Sequence, residues 1–209
     1  MKVISRLYVV TPDIAATALL LAATQAALAG GARLVQYRNK TAAENLRGEQ
    51  ASALRELCRR GGAAFIINDH VELAREIDAD GVHVGADDAS VAVARSRLGR
   101  GKIIGVSCYN DLSRAQSAAA QGADYVAFGS FFASSVKPGA VRAPLALLRE
   151  ARQRLRLPVV AIGGITLDNA GALIRAGADA VAVISALFDA PDIEIAARKF
   201  CRLFRDQSA

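Results

Sequence analysis

Tryptophan is absent from the 209-residue sequence, and aromatic residues as a whole make up only 5% of it. The hydrophobic core must therefore be built from alanine, valine, isoleucine and leucine. Hydrophobic residues reach 53% of the chain, which is too high for a disordered protein and sufficient for a large core. Alanine and leucine are concentrated in long stretches, and valine and isoleucine in short ones. This division indicates alternating helices and strands.

Cysteine and histidine are also scarce. Cys58, Cys108 and Cys201 are widely separated and odd in number, so they match neither a disulfide framework nor a metal-binding spacing. We expect reduced thiols in a cytoplasmic protein. His70 and His83 form no Ser-His-Asp or Cys-His arrangement with the rest of the sequence. We interpret both histidines as structural residues.

The start of the sequence does not have the pattern of a signal peptide, and we expect none. The uncharged run between Asp13 and Arg33 approaches the length of a membrane-spanning helix. It is rich in alanine, however, and it contains Thr17, Thr24 and Gln25. We therefore predict a helix that buries one face against a sheet, and no membrane partner.

Acidic residues are fewer than basic ones, 20 against 26, and the net charge is +6. A protein that binds nucleic acid would group its basic residues in one stripe. Here the arginines recur along most of the predicted helices, as is typical of solvated surface. We predict no nucleic-acid partner, and a modest positive charge favours small anionic substrates.

Eight short apolar runs rich in β-branched residues alternate with amphipathic helical patterns. Glycine or aspartate stands at the joints before several of these runs, where a helix has to end. Strands that alternate with helices predict a parallel sheet, and eight units predict a closed (β/α)8 TIM barrel in a single domain, residues 1–209. The predicted strands are residues 6–11, 32–38, 63–69, 81–85, 103–107, 125–130, 158–164 and 180–185.

Polar or glycine-rich segments follow nearly every predicted strand, whereas the opposite joints are mostly glycine, alanine and arginine. Active sites of TIM barrels lie at the C-terminal ends of the strands. Gly163 and Gly164 end the predicted seventh strand, and Ile184 and Ser185 end the eighth just before a possible helical turn. This is where such barrels often bind phosphate. A tight turn that only needs glycine is the alternative for the glycine pair.

Carboxylates follow two neighbouring predicted strands. Asn68 and Asp69 end the third strand, and Asp87 and Asp88 follow the fourth. Paired carboxylates with room for water suit Mg²⁺, which is often held by one or two acids together with substrate phosphates. The alternative is that Asp69 and one of the other two acids cap the helices that follow.

Positive charge stands close to these acids. Gln36, Arg38 and Lys40 alternate, so an extended strand would direct all three side chains into the barrel mouth. Lys137 lies in a long segment after the sixth strand, and a loop of that length is more often functional than idle. Fixed cations and a metal would stabilise a leaving pyrophosphate.

Seven segments give the sequence a specific resemblance. They are QYRNK (36–40), IINDHVELA (66–74), DGVHVGADD (80–88), IGVSCYN (104–110), SSVK (134–137), IGGIT (162–166) and AVISAL (182–187). With these segments in this order and at barrel spacing, the sequence resembles the thiamine phosphate synthase family over essentially its full length.

The resemblance implies a transferase of thiamine biosynthesis that joins 4-amino-2-methyl-5-(diphosphooxymethyl)pyrimidine to a thiazole phosphate. The products would be thiamine monophosphate and pyrophosphate, formed with Mg²⁺ by a dissociative mechanism in which pyrophosphate leaves first. The implied pyrimidine diphosphate ligands are Gln36, Tyr37, Arg38, Asn39, Lys40, Asn68, Ser107 and Lys137. The implied metal ligands are Asp69 and Asp88. The implied thiazole phosphate ligands are Ser134, Ser135, Val136, Gly164, Ile184 and Ser185. The implied catalytic cations are Lys137, Arg38 and Lys40.

The sequence departs from the family pattern at two positions. Asn39 stands where the family often has glutamate, and Val136 stands where it often has threonine, whereas Ser134 keeps a hydroxyl group. Asp69 and Asp88 are both retained, so we expect an active enzyme.

Other functions stay open. A related thiazole tautomerase shares the barrel, but it carries a histidine near the fifth strand where this chain has Tyr109. A Schiff-base aldolase would need an inward lysine on a strand, and Lys137 is predicted in a loop. A silent sensor of thiamine precursors and a basic RNA-binding protein are the remaining alternatives. Monomer and homo-oligomer are equally compatible with the sequence.

Overall fold

The computed structural model describes residues 4–86, 88–133, 139 and 141–205. Eight parallel strands form a closed barrel in which each strand pairs with the next and the eighth with the first. The predicted TIM barrel is confirmed. The strands are β1 Arg6–Val10, β2 Leu34–Tyr37, β3 Ala64–Asn68, β4 Gly81–Val84, β5 Ile103–Tyr109, β6 Tyr125–Phe128, β7 Val159–Ile162 and β8 Ala180–Val183.

Helices cover the outside of the barrel. The first buries Leu20, Thr24 and Leu28 against the sheet, while Leu19 on its other face is 66% exposed. Among the described residues, no helix is long and apolar enough to cross a membrane. The helices are α1 Thr17–Ala29, α2 Glu44–Arg60, α3 Val71–Glu76, α4 Val91–Leu98, α5 Leu112–Ala120, α6 Leu145–Arg154, α7 Leu167–Arg175, α8 Ser185–Phe188 and α9 Ile193–Leu203.

Three aspartates stabilise the end of the barrel where the strands begin. Asp80, Asp124 and Asp179 each stand directly before an even-numbered strand. Each carboxylate accepts a hydrogen bond from a backbone N–H of the preceding strand, at 2.7 to 2.8 Å. The aspartates in the predicted joints therefore tie neighbouring strands together. In TIM barrels this end usually contributes to stability, and the active site lies at the opposite end.

The barrel encloses its own apolar cluster, separate from the larger layer between sheet and helices. Small residues such as Ala64, Ala127, Ala180 and Ala182 occupy many of its inward positions. Of these, Ala127 and Ala182 line the cavity at the carboxyl ends of the strands.

Candidate active site

A cavity of about 1520 Å³ opens at the carboxyl ends of the strands, and all eight strands contribute to its walls. It brings together most of the site residues expected from the sequence. Those that line it are Gln36, Arg38, Lys40, Asn68, Asp69, Asp88, Ser107, Gly164, Ile184 and Ser185. Ser134, Ser135, Val136 and Lys137, together with Asp87, lie outside the described residues.

Arg38 and Lys40 line the cavity, although they do not belong to a strand. The second strand ends at Tyr37, so both residues lie in the turn beyond it. Asp13 Oδ1 accepts hydrogen bonds from Arg38 Nη1 and from the Lys40 backbone N–H, each at 3.0 Å. Thr11 Oγ1 also accepts from the Arg38 backbone N–H at 2.9 Å. The segment after β1 therefore fixes both cations at the cavity, and the sequence analysis did not identify Asp13.

Asp69 lines the cavity and forms an ion pair with Lys40. Its Oδ2 accepts a hydrogen bond from Lys40 Nζ at 2.7 Å. Its backbone has a φ of 63°, which is uncommon for a residue other than glycine and costs free energy. The helix-capping alternative for Asp69 is wrong, because His70 occupies the N-cap position of α3. Residues held in strained backbone conformations cluster at functional sites.

Asp88 does not cap a helix either. Ser90 is the N-cap of α4, and its hydroxyl accepts from the Val93 backbone N–H. Asp88 Oδ2 accepts instead from the Gly85 backbone N–H at 2.7 Å, which folds the loop after β4 back to the cavity. The capping alternative is therefore wrong for Asp88 as well.

The donor set fits Mg²⁺ that is partly held by its substrate. Asn68, Asp69 and Asp88 supply hard oxygen ligands to one cavity, and such ligands suit Mg²⁺ over softer metals. Among the described residues, no group of three or more His, Cys, Asp or Glu side chains could hold a metal alone. Two acids completed by water and phosphate oxygens are a common magnesium arrangement.

The side chains of Tyr37 and Asn39 do not line the main cavity, and their role as substrate ligands stays a prediction. Tyr37 Oη donates to Gln50 Oε1 at 2.8 Å, and Asn39 Nδ2 donates to the same oxygen at 3.1 Å. Asn39 Oδ1 accepts from the Ala42 backbone N–H at 3.0 Å. Both residues border a smaller cavity of about 280 Å³ that Lys40, Asp69 and Asp88 also line. They support the turn that carries the cations, and this explains why an amide serves at position 39.

The turn after β7 can be made only by glycine. Gly163 and Gly164 have φ values of 100° and 63°. A Cβ on Gly164 would lie 2.1 Å from the Ala133 carbonyl oxygen, and one on Gly163 would lie 2.1 Å from Ser130 Oγ. The turn thus packs directly against the segment that follows β6. On its other side Ser185 begins α8, which confirms the predicted helical turn after β8.

Two inward tyrosines and a histidine were missed as site residues. Tyr8 and His83 line the cavity, and Tyr125 lies beneath them with no measurable exposure. His83 is satisfied by hydrogen bonds, as predicted, but its ring also forms part of the cavity wall. The signal available in the sequence was a polar residue at an inward position of a barrel strand, as at Gln36 and Ser107.

The family model described as thiamine monophosphate synthase matches residues 7–187. The chain belongs to this family. The thiamine-phosphate synthase of Nitrosospira multiformis is 56% identical over 205 residues, 98% of this chain and 88% of that protein. The one from Azoarcus sp. is 59% identical over 186 residues, 89% of this chain and 90% of that protein. The thiamine phosphate pyrophosphorylase structure from Pyrococcus furiosus is 35% identical, with a TM-score of 0.84 over 96% of each chain.

Membership of the thiamine monophosphate synthase family confirms the predicted family and the prediction of an enzyme of thiamine biosynthesis. One alternative also meets a structural objection. None of the eight strands in the described part of the chain contains a lysine. A Schiff-base aldolase with a lysine on a barrel strand is therefore excluded.

The buried histidine of this synthase-family enzyme predicts a pH dependence of stability. Burial lowers the pKa of His83 from 6.5 to about 4. Between these two values the unfolded chain binds a proton that the folded chain does not. The free energy of unfolding should therefore fall as the pH falls from 6.5 to 4, by roughly 3 kcal/mol in total from this residue. Urea unfolding at several pH values should show this slope in the native protein and a smaller slope in His83→Gln. Equal slopes would contradict the prediction.

Proposed function

We propose that the enzyme condenses 4-amino-2-methyl-5-(diphosphooxymethyl)pyrimidine with a thiazole phosphate, releasing pyrophosphate and giving thiamine monophosphate. One observation carries the proposal. Lys40 and Asp69 are paired beside Arg38 and Asp88 at the carboxyl ends of β2 to β4. Across the closed barrel lies the glycine turn after β7. Two anionic groups can therefore be bound at separate sides of one cavity.

The cationic side of the cavity would bind the diphosphate. Arg38 is held in place by Asp13, and its side chain is only 16% exposed, so little reorganisation is needed when negative charge develops. Lys40 is more exposed, at 52%, and can move from Asp69 to a phosphate oxygen. Preorganised cations of this kind stabilise a leaving group in the transition state. Mg²⁺, held by Asp69, Asp88 and the diphosphate, would supply further charge neutralisation there.

The centre of the barrel suits a dissociative reaction. Val10, Val160 and Ile162 give the cavity an apolar wall, which limits the access of water to a reactive pyrimidine methylene cation. Gln36 and Ser107 also line the cavity, and their polar side chains would bind the ring. The thiazole nitrogen is a neutral nucleophile, so its attack requires no strong base. The neutral His83 is consistent with this.

The glycine side of the cavity would bind the thiazole phosphate. Gly163 and Gly164 allow close approach of backbone N–H groups to an anion. Ser185, at the first turn of α8, faces the same cavity. Residues 134–137 would complete this side and the diphosphate side, as the family resemblance implies.

We further propose a cytoplasmic enzyme with small-molecule partners only. The three cysteines are buried and form no disulfide, consistent with a reducing compartment. Several surface arginines are paired with glutamates on their own helices, among them Arg59 with Glu56 and Arg154 with Glu150. Such pairing argues against a continuous basic surface for nucleic acid.

A turnover assay tests the proposal. Purified protein with both substrates and Mg²⁺ should form thiamine monophosphate and pyrophosphate in equal amounts. EDTA should abolish product, and excess Mg²⁺ should restore it. Product in the presence of EDTA would contradict the metal site. Tight binding of thiazole phosphate without any product would contradict the condensation and favour a tautomerase-like or sensor function.

A further inference from the structure

A continuous chain of hydrogen bonds crosses the interior of the barrel. Gln36 Nε2 donates to Tyr8 Oη at 2.7 Å, and Tyr8 Oη is 2.7 Å from Tyr125 Oη. Tyr125 Oη is 2.9 Å from His83 Nδ1, and His83 Nε2 is 2.8 Å from Ser107 Oγ. Five side chains from five strands are thus linked, and the two end members line the cavity. The three in the middle connect residues that lie up to 117 positions apart.

One assignment of protons satisfies every link of this hydrogen-bond network, and it starts from the Gln36 amide. Because Gln36 Nε2–H donates to Tyr8, the Tyr8 hydroxyl proton is available for Tyr125. Tyr125 then donates its own proton to His83 Nδ1. A neutral imidazole that accepts at Nδ1 carries its proton at Nε2, and it therefore donates to Ser107 Oγ. The Ser107 proton is left to point elsewhere, and the cavity lies beside it.

Packing holds the centre of the chain rigidly. A Cβ on Gly105 would lie 2.0 Å from Tyr125 Cζ, so the absence of a side chain at that position makes room for the phenol ring. The Tyr125 ring stacks on His83, with centroids 5.5 Å apart, and meets Tyr8 edge-on at 5.9 Å. Burial raises the pKa of both tyrosines and lowers that of His83 to about 4. All three groups are therefore neutral near pH 7, as the relay of hydrogen bonds requires.

We propose that Tyr8, Tyr125 and His83 are positioning residues that turn the Gln36 oxygen to the cavity as an acceptor and the Ser107 hydroxyl as a donor. The two ends are coupled, because reversing the Gln36 amide would reverse every bond and present an amide N–H and a serine lone pair instead. The site therefore selects a heteroaromatic ring that offers one donor and one acceptor in a fixed arrangement.

This selection deepens the proposed function and depends on it for the identity of the ring. An aminopyrimidine offers an amino N–H and a ring nitrogen lone pair. The corresponding 4-oxo pyrimidine offers the reverse, a carbonyl oxygen and a ring N–H. A site that presents fixed partners rejects an analogue that cannot match them, since buried polar groups are then left unpaired.

The direction of the hydrogen bonds in this network can be measured without any substrate, from the tautomer of His83. The protein contains two histidines, so long-range ¹H–¹⁵N spectra of the labelled protein at neutral pH should resolve both, and a His70→Gln variant assigns them. We expect His83 as the Nε2–H tautomer. Finding the Nδ1–H tautomer would overturn the proposal even if the enzyme makes thiamine monophosphate, and finding Nε2–H would support it even if the condensation failed.

Removing the Tyr8 hydroxyl tests whether the Gln36 and Ser107 ends of the hydrogen-bond network are coupled. Tyr8→Phe keeps the ring and removes the hydroxyl. We expect His83 to become a mixture of tautomers, and the kcat/KM preference for the aminopyrimidine diphosphate over its 4-oxo analogue to fall about tenfold, the value of one hydrogen bond. The KM for thiazole phosphate should not change.

Thr24→Val is the matched control, because it also removes a fully buried hydroxyl, one that donates to Leu20 within α1. It should leave both the His83 tautomer and the preference unaltered. If Tyr8→Phe changes only the melting temperature, as a purely structural residue would, the proposal is wrong. An equal loss of preference in Thr24→Val would also contradict it.

Discussion

Replacing Asp69 by asparagine should lower kcat by about 100-fold or more, with little change in the free energy of unfolding. Removal of one preorganised charged or hydrogen-bonding group from an active site typically has an effect of this size. The variant loses the carboxylate that pairs with Lys40 and that would bind Mg²⁺. Asparagine has the same shape, and it tolerates the φ of 63° at this position. A half-exposed ion pair contributes at most about 1 kcal/mol to stability.

Asp78→Asn is the control for this variant. Asp78 also has a positive φ, 52°, and pairs with Lys102, but it lies before β4 at the opposite end of the barrel. Steady-state kinetics and thermal melts of both variants separate catalysis from folding. We expect normal turnover in Asp78→Asn and native-like melts in both proteins. An unfolded Asp69→Asn, or a similar loss of turnover in the two variants, would overturn the assignment of Asp69 to the site.

The barrel could be predicted from the sequence because its signals are local. Each strand is a short β-branched run, and each aspartate-containing joint lies within a few residues of the strand it precedes. The strand ends were less predictable. The second strand stops at Tyr37 rather than at residue 38, because Thr11 and Asp13 bind the backbone of Arg38 and Lys40. Both of these hydrogen bonds come from residues that lie 27 positions earlier in the sequence.

The candidate site was predictable where a motif stands at the end of one strand, as with Asn68 and Asp69. It was not predictable where residues meet across the barrel. Tyr8 and Tyr125 are hydrogen-bonded to each other from β1 and β6, and neither carries a local pattern that distinguishes it from a core aromatic residue. The alternative in which Asp88 caps α4 is wrong because of a competing residue. Ser90 is closer to the start of α4 than Asp88, and a nearer hydroxyl competes successfully for the cap.

The two ends of the barrel also differ in what they use polar groups for. At one end, strand N–H groups donate hydrogen bonds to the carboxylates of Asp80, Asp124 and Asp179. These carboxylates stabilise the sheet. Asp69 and Asp88 line an open cavity. Substitutions of Asp80, Asp124 or Asp179 should therefore lower stability, whereas substitutions of Asp69 or Asp88 should lower turnover.

Gly164→Ala should raise the KM for thiazole phosphate about 100-fold while leaving the KM for the pyrimidine diphosphate nearly unchanged. Its φ is 63°, and an added Cβ would lie 2.1 Å from the Ala133 carbonyl oxygen. The turn after β7 has to move to relieve this contact, and a displacement of about 1 Å at a binding site can cost two orders of magnitude. Separate titrations of each substrate at saturating concentration of the other measure the two KM values.

Gly62→Ala separates backbone strain from the displacement of the turn. Gly62 has almost the same φ, 65°, but a Cβ there would meet no atom within 4 Å, and it lies between α2 and β3 at the far end of the barrel. This variant should lose about 1 kcal/mol of stability from the left-handed conformation alone and keep both KM values. A normal thiazole phosphate KM in a folded Gly164→Ala would place the phosphate away from the turn after β7. Equal effects of the two variants on that KM would attribute the change to strain rather than to the site.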